Sequence, residues 1–400
     1  PQIDWAGAGQ GYVEAEFPLY PYLLAGLYRL AGIQEWLGRG LSLVCSLLTL
    51  WLLLRIGQRL LNPRAAWWGG LIWALVPLAV HYGRSVQAES LMLLLAALCL
   101  DRFLAWQDTP HRLSLAIAWL CFTLCCLLKV LPLVWLGLPL AWLWARQRGW
   151  GSLLRPLPLL LLGASLACTA AWYAHAHELG RISGLSFGFW AGDTNRYSWT
   201  QLLGPSYWLG IGLRFSLRGL AVIGLPLLVL GVTGLRSRGT DRPDPRAGVL
   251  VVGMGAALLA GALAPESSAV HEYYQLPILL FAAPLVGSGL AQLADRRRLQ
   301  RGLVVLLATA SLLSLSLDYW LVEARQERIL MPLAASIQRH TSPQDRIVSV
   351  TGSDPTLLNL ARRQGWLIKP KKLSRERVMR FQAQGAGAIA ASFEVVESFR

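Results

Sequence analysis

Charge is scarce in this chain. Only 15% of its 400 residues are Asp, Glu, Lys or Arg, against 54% hydrophobic, with 18 Trp. A soluble domain of this length needs far less apolar material for its core, so a bilayer is the natural solvent. Acids are scarcer than bases, 22 against 37, giving a net charge of +15. Such a balance first suggests nucleic acid, but the basic residues occupy short connections between apolar runs. They are a topology signal, and no nucleic-acid partner is expected. The six cysteines (Cys45, Cys99, Cys121, Cys125, Cys126, Cys168) all lie inside apolar runs with no spaced His or Cys beside them. They read as small hydrophobes, so neither a disulfide nor a zinc site is implied. A signal peptide is missing too, and the first residue is Pro1 rather than Met; the natural start is expected upstream.

What is present is a series of apolar stretches, about ten, several short enough to tilt or re-enter. They cover 37–60, 65–82, 88–106, 113–128, 130–145, 157–176, 213–235, 247–263, 274–293 and 303–321. Alternate connections hold the Arg groups: Arg55, Arg59 and Arg64; Arg102 and Arg112; Arg146, Arg148 and Arg155; Arg236, Arg238, Arg242 and Arg246; and Arg296, Arg297, Arg298 and Arg301. By the positive-inside rule these are cytoplasmic. The opposite connections hold few cations, namely Arg84, Lys129, Arg181 and Arg196, with Arg214 and Arg218 just inside the following span. The expected class is an all-α polytopic membrane protein of the inner (plasma) membrane. Its expected parts are an outer-face loop with an interfacial helix at 1–36, a transmembrane domain at 37–322 and a small extracytoplasmic α/β domain at 323–400. In that last part, a β-branched run at 347–350, a helical pattern at 356–364 and an apolar run at 386–391 alternate. Gly352-Ser353-Asp354-Pro355 reads as a turn into a helix with Asp354 as N-cap and Pro355 at its first position, a phosphate-binding loop being the sharper alternative.

The outer face collects the chemistry. Glu14 and Glu16 precede an amphipathic run, Leu19, Tyr22, Leu23, Gly26, Leu27 and Leu30, which fits an interfacial helix with two carboxylates at its start; the plainer alternative is that they only favour the helix dipole. The segment HYGRSVQAES places His81, Arg84, Gln87 and Glu89 between two apolar runs. Ionisable groups at membrane depth are costly and usually face a polar cavity, although an Arg84–Glu89 structural pair would also explain them. Lys129 follows an apolar helix and precedes Val130-Leu131-Pro132, so it either snorkels to the interface or meets a phosphate. His271-Glu272-Tyr273-Tyr274 opens a late span, as an aromatic belt or as part of a site. Together these loops hold carboxylates, and Arg, Lys, His and Tyr for gripping a phosphate, an inventory that suits group transfer from a phosphorylated lipid.

The stretches YVEAEFPLYPYLLAGLYRL, RSVQAES, CLLKVLP and HEYYQLP, in that order, resemble the membrane glycosyltransferases of the GT-C superfamily, in the protein-mannosyltransferase and aminoarabinose-transferase-like group. The resemblance covers essentially the whole membrane region. It implies a polyprenyl-phosphate-linked sugar donor and transfer to an acceptor glycan, lipid or protein on the outer face. It also implies a general base in an Asp-containing motif after a first helix, both lying before Pro1; Asp4 does not replace it. Glu16 matches the second acidic element of the first loop, and Glu89 the acid that follows the family's Arg, with Ala88 where many members carry Pro. Glu16 and Glu89 are thus the catalytic candidates. Glu14, Arg84, Gln87, Lys129, His271, Tyr273 and Tyr274 are the substrate-binding candidates. No cofactor is required; a divalent cation is compatible with this many acids, but no ligand spacing demands one. No second carboxylate is placed as nucleophile, which favours inversion. The competing class, a transporter or flippase for a lipid-linked sugar, explains the spans but predicts internal repeats and broken helices with midplane charge; no repeat is evident. A structural scaffold leaves Arg84, Glu89 and His271 unexplained.

Overall fold

The computed structural model describes residues 14–183, 199–236, 243–352 and 354–391. The chain divides into two compact units, one of residues 16–174 and 191–316, the other of residues 1–15, 175–190 and 317–400.

The larger unit is helical, and its centre is the helix Leu276–Ala291, in which every residue from Leu276 to Leu290 is buried. A helix apolar on all sides has no solvent face to offer, so it takes the middle of the bundle. It packs against the helices Pro63–Leu75, Gly224–Gly234 and Gly248–Ala262. Glycines permit the closest of these approaches. A Cβ on Gly287 would stand 2.2 Å from Gly69 N, and one on Gly289 would stand 2.0 Å from Leu227 O. Small residues at helix crossings let backbones meet and maximise dispersion contact where lipid supplies no hydrophobic drive.

Each apolar run carries helix, yet the expected count of about ten spans is not reached among the described residues. Five helices are long and apolar enough to cross a membrane: Glu35–Leu60, Pro156–Ile182, Pro245–Ala262, Glu272–Ala291 and Arg297–His340. A sixth is added if Pro205–Gly219 and Gly224–Gly234, bent by 95°, count as one. The shortfall has local causes. Run 65–82 is cut at Val76, which is extended ahead of Pro77 because a residue before proline is steered out of the helical region. Run 130–145 is interrupted at Leu136, between the helices Pro132–Trp135 and Gly137–Arg148. The helix Arg112–Leu128 has 17 residues. The helix Glu89–Asp108 carries Asp101, Arg102 and Asp108 near its end.

Those acids organise one end of the bundle. Asp101, fully buried, accepts from Arg55 Nε at 3.3 Å, from Arg59 Nη1 at 3.4 Å and from Arg102. Arg59 also reaches Asp108 at 3.2 Å, and Arg246 pairs with both Asp108 and Asp244 at 2.7 Å. A carboxylate this deep persists only with cations around it, so several of the Arg residues that signal topology also neutralise acids. All six cysteines are free thiols, five of them buried and Cys168 exposed.

The smaller unit contains a three-stranded parallel sheet of β1 (Arg346–Ser349), β2 (Gly365–Leu367) and β3 (Ala386–Ala390), in the order β2-β1-β3. The helix Thr356–Ala361 connects β1 to β2, and the helix Arg375–Ala383 precedes β3. Asp354 Oδ1 accepts from Thr356 N at 2.9 Å, so the helix begins one residue later than the sequence suggests, with Pro355 in the cap position. Ser353 lies outside the described residues, as does Asp4.

Candidate functional site

The helix Glu89–Asp108 starts on its acid, where a carboxylate favours the positive end of the helix dipole. Glu89 is only 4% exposed. Its partner comes from the next turn: Lys129, extended (φ −154°, ψ 145°) after the helix Arg112–Leu128 and before the Pro132 turn, places Nζ 2.5 Å from Glu89 Oε1. An Arg84–Glu89 pair is the plainer alternative that the sequence offers; the cation close to Glu89 is Lys129, because the Lys129 turn and the start of the Glu89 helix fall at the same end of two packed helices.

Two aromatic rings cover the ammonium. Lys129 Nζ lies 4.5 Å from the ring centre of Tyr273 and 5.3 Å from that of Tyr274, and the two rings stack at 5.1 Å. His271 also stacks on Tyr273, at 5.1 Å. Cation–π contact compensates part of the lost hydration of a buried ammonium. Burial pulls the Lys129 pKa down, but Glu89 outweighs it, with Tyr273, Glu16 and Tyr274 acting in the same direction, and the amine is held above the ordinary lysine value. Lys129 is therefore a permanent cation at physiological pH. His271 is shifted down, first by desolvation and then by the Lys129 charge, so its imidazole is neutral near pH 7. Glu89, Lys129, Trp135, Tyr273, Tyr274 and Pro277 border a cavity of about 20 Å³, enough for a water molecule and too small for a sugar.

A second network fixes the Tyr273 turn. Glu272 is buried, pairs with Arg218 and accepts from the Tyr82 hydroxyl at 3.2 Å. Arg218 reaches it from a π-helical turn, Phe215–Gly219, that is followed by Ala221 and Val222 at positive φ (47° and 61°). Such backbone is strained for residues with a Cβ and marks places where position outweighs comfort. Arg214 donates to the carbonyls of Ser268 and Ala269 at 3.2 and 2.6 Å, closing the turn from the other side.

The candidates do not all converge. Glu89, Lys129, Tyr273, Tyr274 and His271 form one cluster. Glu16, exposed at the bend before the helix Leu19–Ala31, lies within electrostatic reach of Lys129, and Phe17 N donates to Leu127 O at 3.2 Å beside it. Arg84 and Gln87 sit in the turn that leads into Glu89, where Gln87 Oε1 is buried with no hydrogen-bond partner among the described residues. Glu14 belongs to the smaller unit, with its carboxylate 4.0 Å from His177 Nδ1. Glu272, Arg218, Tyr82 and Tyr173 were not among the sequence candidates. For Arg218 the signal was a cation placed inside an apolar run; Tyr173, within electrostatic reach of Glu16 and Lys129, carried no such signal. Among the described residues no group of three or more His, Cys, Asp or Glu side chains is gathered as for a metal ion.

Apolar helices of membrane-spanning length and a buried polar cluster at one helix end define an integral membrane protein with a site built for charge. The motif order resembles the GT-C membrane glycosyltransferases, and comparison with known proteins finds the following likenesses. Residues 15–175 match the family model of the dolichyl-phosphate-mannose-protein mannosyltransferases. The crystal structure of ArnT from Cupriavidus metallidurans bound to undecaprenyl phosphate superposes with a TM-score of 0.66 at 16% identity, covering 94% of this chain and 80% of that one. Its apo form gives 0.63 at 16% identity, covering 96% and 81%. No curated protein matches the sequence significantly.

Proposed function

We propose that this chain is a glycosyltransferase that moves a sugar from a polyprenyl-phosphate-linked donor to an acceptor on the outer face of the inner membrane, with inversion. The observation that carries the reading is the part-buried Lys129–Glu89 pair under Tyr273 and Tyr274, in a fold similar to that of ArnT, which was crystallised with undecaprenyl phosphate. In the reaction, the acceptor oxygen bonds to the anomeric carbon as the bond from that carbon to the phosphate oxygen breaks. The electron pair leaves with the phosphate, and the acceptor hydroxyl passes its proton to a carboxylate on the acceptor side. Negative charge therefore grows on the phosphate, where the Lys129 ammonium and neighbouring Tyr hydroxyls meet it. Arg84 and Gln87 extend the polar wall, and His271 serves as a neutral donor or acceptor. Glu89 and Glu16 take the sugar or acceptor side. Glu14 remains a substrate-binding proposal from sequence order alone. A divalent cation is compatible with this chemistry, and no step of the transfer depends on one.

The 95° break between Pro205–Gly219 and Gly224–Gly234 is the feature a flippase would share. Purified protein in liposomes, supplied with a polyprenyl-phosphate-linked sugar and a candidate acceptor, separates the two. Conversion of donor to polyprenyl phosphate, lost in Lys129→Ala, supports transfer. Donor movement between leaflets without conversion would replace this reading with transport.

A further inference from the structure

The larger unit holds an open apolar slot of about 420 Å³, walled by residues such as Trp119, Phe122, Leu138, Ala141, Trp144 and Leu159, and running from Leu133 towards Leu154. Its walls come from the first half of the helix Arg112–Leu128, whose last residue adjoins Lys129, and from Phe103, near the far end of the helix that Glu89 begins. The Leu154 end, 76% exposed at that residue, thus lies at the opposite end of these helices from Lys129, roughly 25 Å away at 1.5 Å per residue.

Three wall helices carry an Arg at this end. Arg112 opens the first, Arg148 closes Gly137–Arg148, and Arg155 immediately precedes the helix that starts at Pro156. The Arg148 guanidinium lies 4.3 Å from the ring centre of Trp106 and 4.9 Å from that of Trp144, a wall residue. None of the three pairs with a carboxylate among the described residues. The nearby acids Asp101 and Asp108 are engaged by Arg55, Arg59, Arg102 and Arg246. An apolar slot with guanidinium groups at the adjoining helix ends, Arg148 against the wall residue Trp144, is complementary to one ligand class, a chain of hydrocarbon ending in an anion. A helix end among Trp rings is the kind of place where lipid headgroups sit.

We propose that this slot binds an anionic glycerophospholipid, one acyl chain along Leu138 and Phe122 and its phosphate at Arg148 with Arg112 and Arg155. The inference is independent of the transfer reaction.

Native mass spectrometry of the full chain, released from phosphatidylcholine nanodiscs doped with phosphatidylglycerol, tests it. The wild type should retain phosphatidylglycerol in preference to phosphatidylcholine. Arg148→Ala and Arg155→Ala should each weaken retention by about fivefold, the worth of one cation near a lipid surface, and Arg148→Lys should keep most of it. Ala141→Trp, which fills the slot, should abolish retention with all Arg residues in place. Equal retention of both lipids by the wild type overturns the proposal, as does phosphatidylglycerol retention unchanged in both Arg→Ala variants. Should Ala141→Trp fail to fold, the Arg148→Ala and Arg148→Lys pair still decides, because equal loss in both would exclude recognition of the headgroup charge. One-for-one displacement of phosphatidylglycerol by polyprenyl phosphate would assign the slot to the donor instead.

Discussion

Lys129 Nζ lies 2.5 Å from Glu89 Oε1 and 4.5 Å from the centre of the Tyr273 ring, so one cation satisfies a buried acid and anchors the turn that opens the central helix. Removing it has two separable effects. Lys129→Met leaves Glu89 buried beside an apolar side chain, at a cost of about 3 to 5 kcal/mol. The double variant Lys129→Met/Glu89→Gln removes both charges and should recover most of that stability while staying inactive. Thermal melting in detergent alongside donor turnover reads both. A double variant that is stable and active would remove the pair from the chemistry.

The Glu272 latch gives a graded series. Tyr82→Phe deletes one hydrogen bond to a charged acceptor, worth about 1 to 2 kcal/mol, whereas Arg218→Ala takes a guanidinium from a buried carboxylate and should cost more. If the latch holds Tyr273 and Tyr274 over Lys129, Arg218→Ala should also weaken donor binding, and Arg218→Lys should restore it in part. Equal donor affinity in wild type and Arg218→Ala would confine the latch to stability.

His271 sets a pH window. Its folded pKa lies below the ordinary 6.5, so the unfolded chain takes up the proton first. Stability is then full above pH 6.5 and falls as the pH drops from there towards the lower folded value. Melting temperatures between about pH 7.5 and 5.5 should slope less in His271→Gln than in wild type. An identical slope would mean that His271 titrates as if free.

Much of this site was legible in the sequence because ionisable groups among apolar runs are rare and stand out. Glu89, Lys129, His271, Tyr273 and Tyr274 were each visible for that reason. Their pairing was not: choosing Lys129 over Arg84 as the partner of Glu89 needs the packing of two helices, which no local pattern encodes. Arg218 carried the right signal, but its contact with Glu272 depends on a π-helical turn that hydropathy does not register. The helices themselves followed the apolar runs, whereas the number of spans did not, since one proline at position 77 or a break at Leu136 divides a run without changing its composition. Strand β2, three residues long, was too short to leave an alternating pattern.

The crossing at Gly287 is an independent test of the packing. A Cβ there would meet Gly69 N at 2.2 Å and Ala65 O at 2.3 Å, and backbone atoms cannot swing aside as a side chain would. Gly287→Ala should therefore destabilise by about 1 to 3 kcal/mol through overpacking. Gly302→Ala, whose added carbon meets nothing within 4 Å, should be neutral or slightly stabilising because alanine favours helix. Melting of the two variants in one detergent settles it, and a neutral Gly287→Ala would mean that the helices Leu276–Ala291 and Pro63–Leu75 stand further apart than described.

Orientation is the last consequence, and it rests on charge. Arg64, Arg155 and Arg298 belong to connections rich in Arg, and cations near short spans are retained on the cytoplasmic side. The ion pairs of Asp101 and Asp108 neutralise Arg55, Arg59, Arg102 and Arg246 in the folded protein, but insertion precedes that pairing, so the bias acts on the unpaired cations. Reporter fusions after Arg64, Arg155 and Arg298 should therefore report cytoplasm, and fusions after Lys129 and after Arg325 the outer side. An outer signal at Arg298 together with a cytoplasmic one at Lys129 would invert the protein, placing the Glu89 site where a polyprenyl donor displayed on the outer leaflet could not reach it.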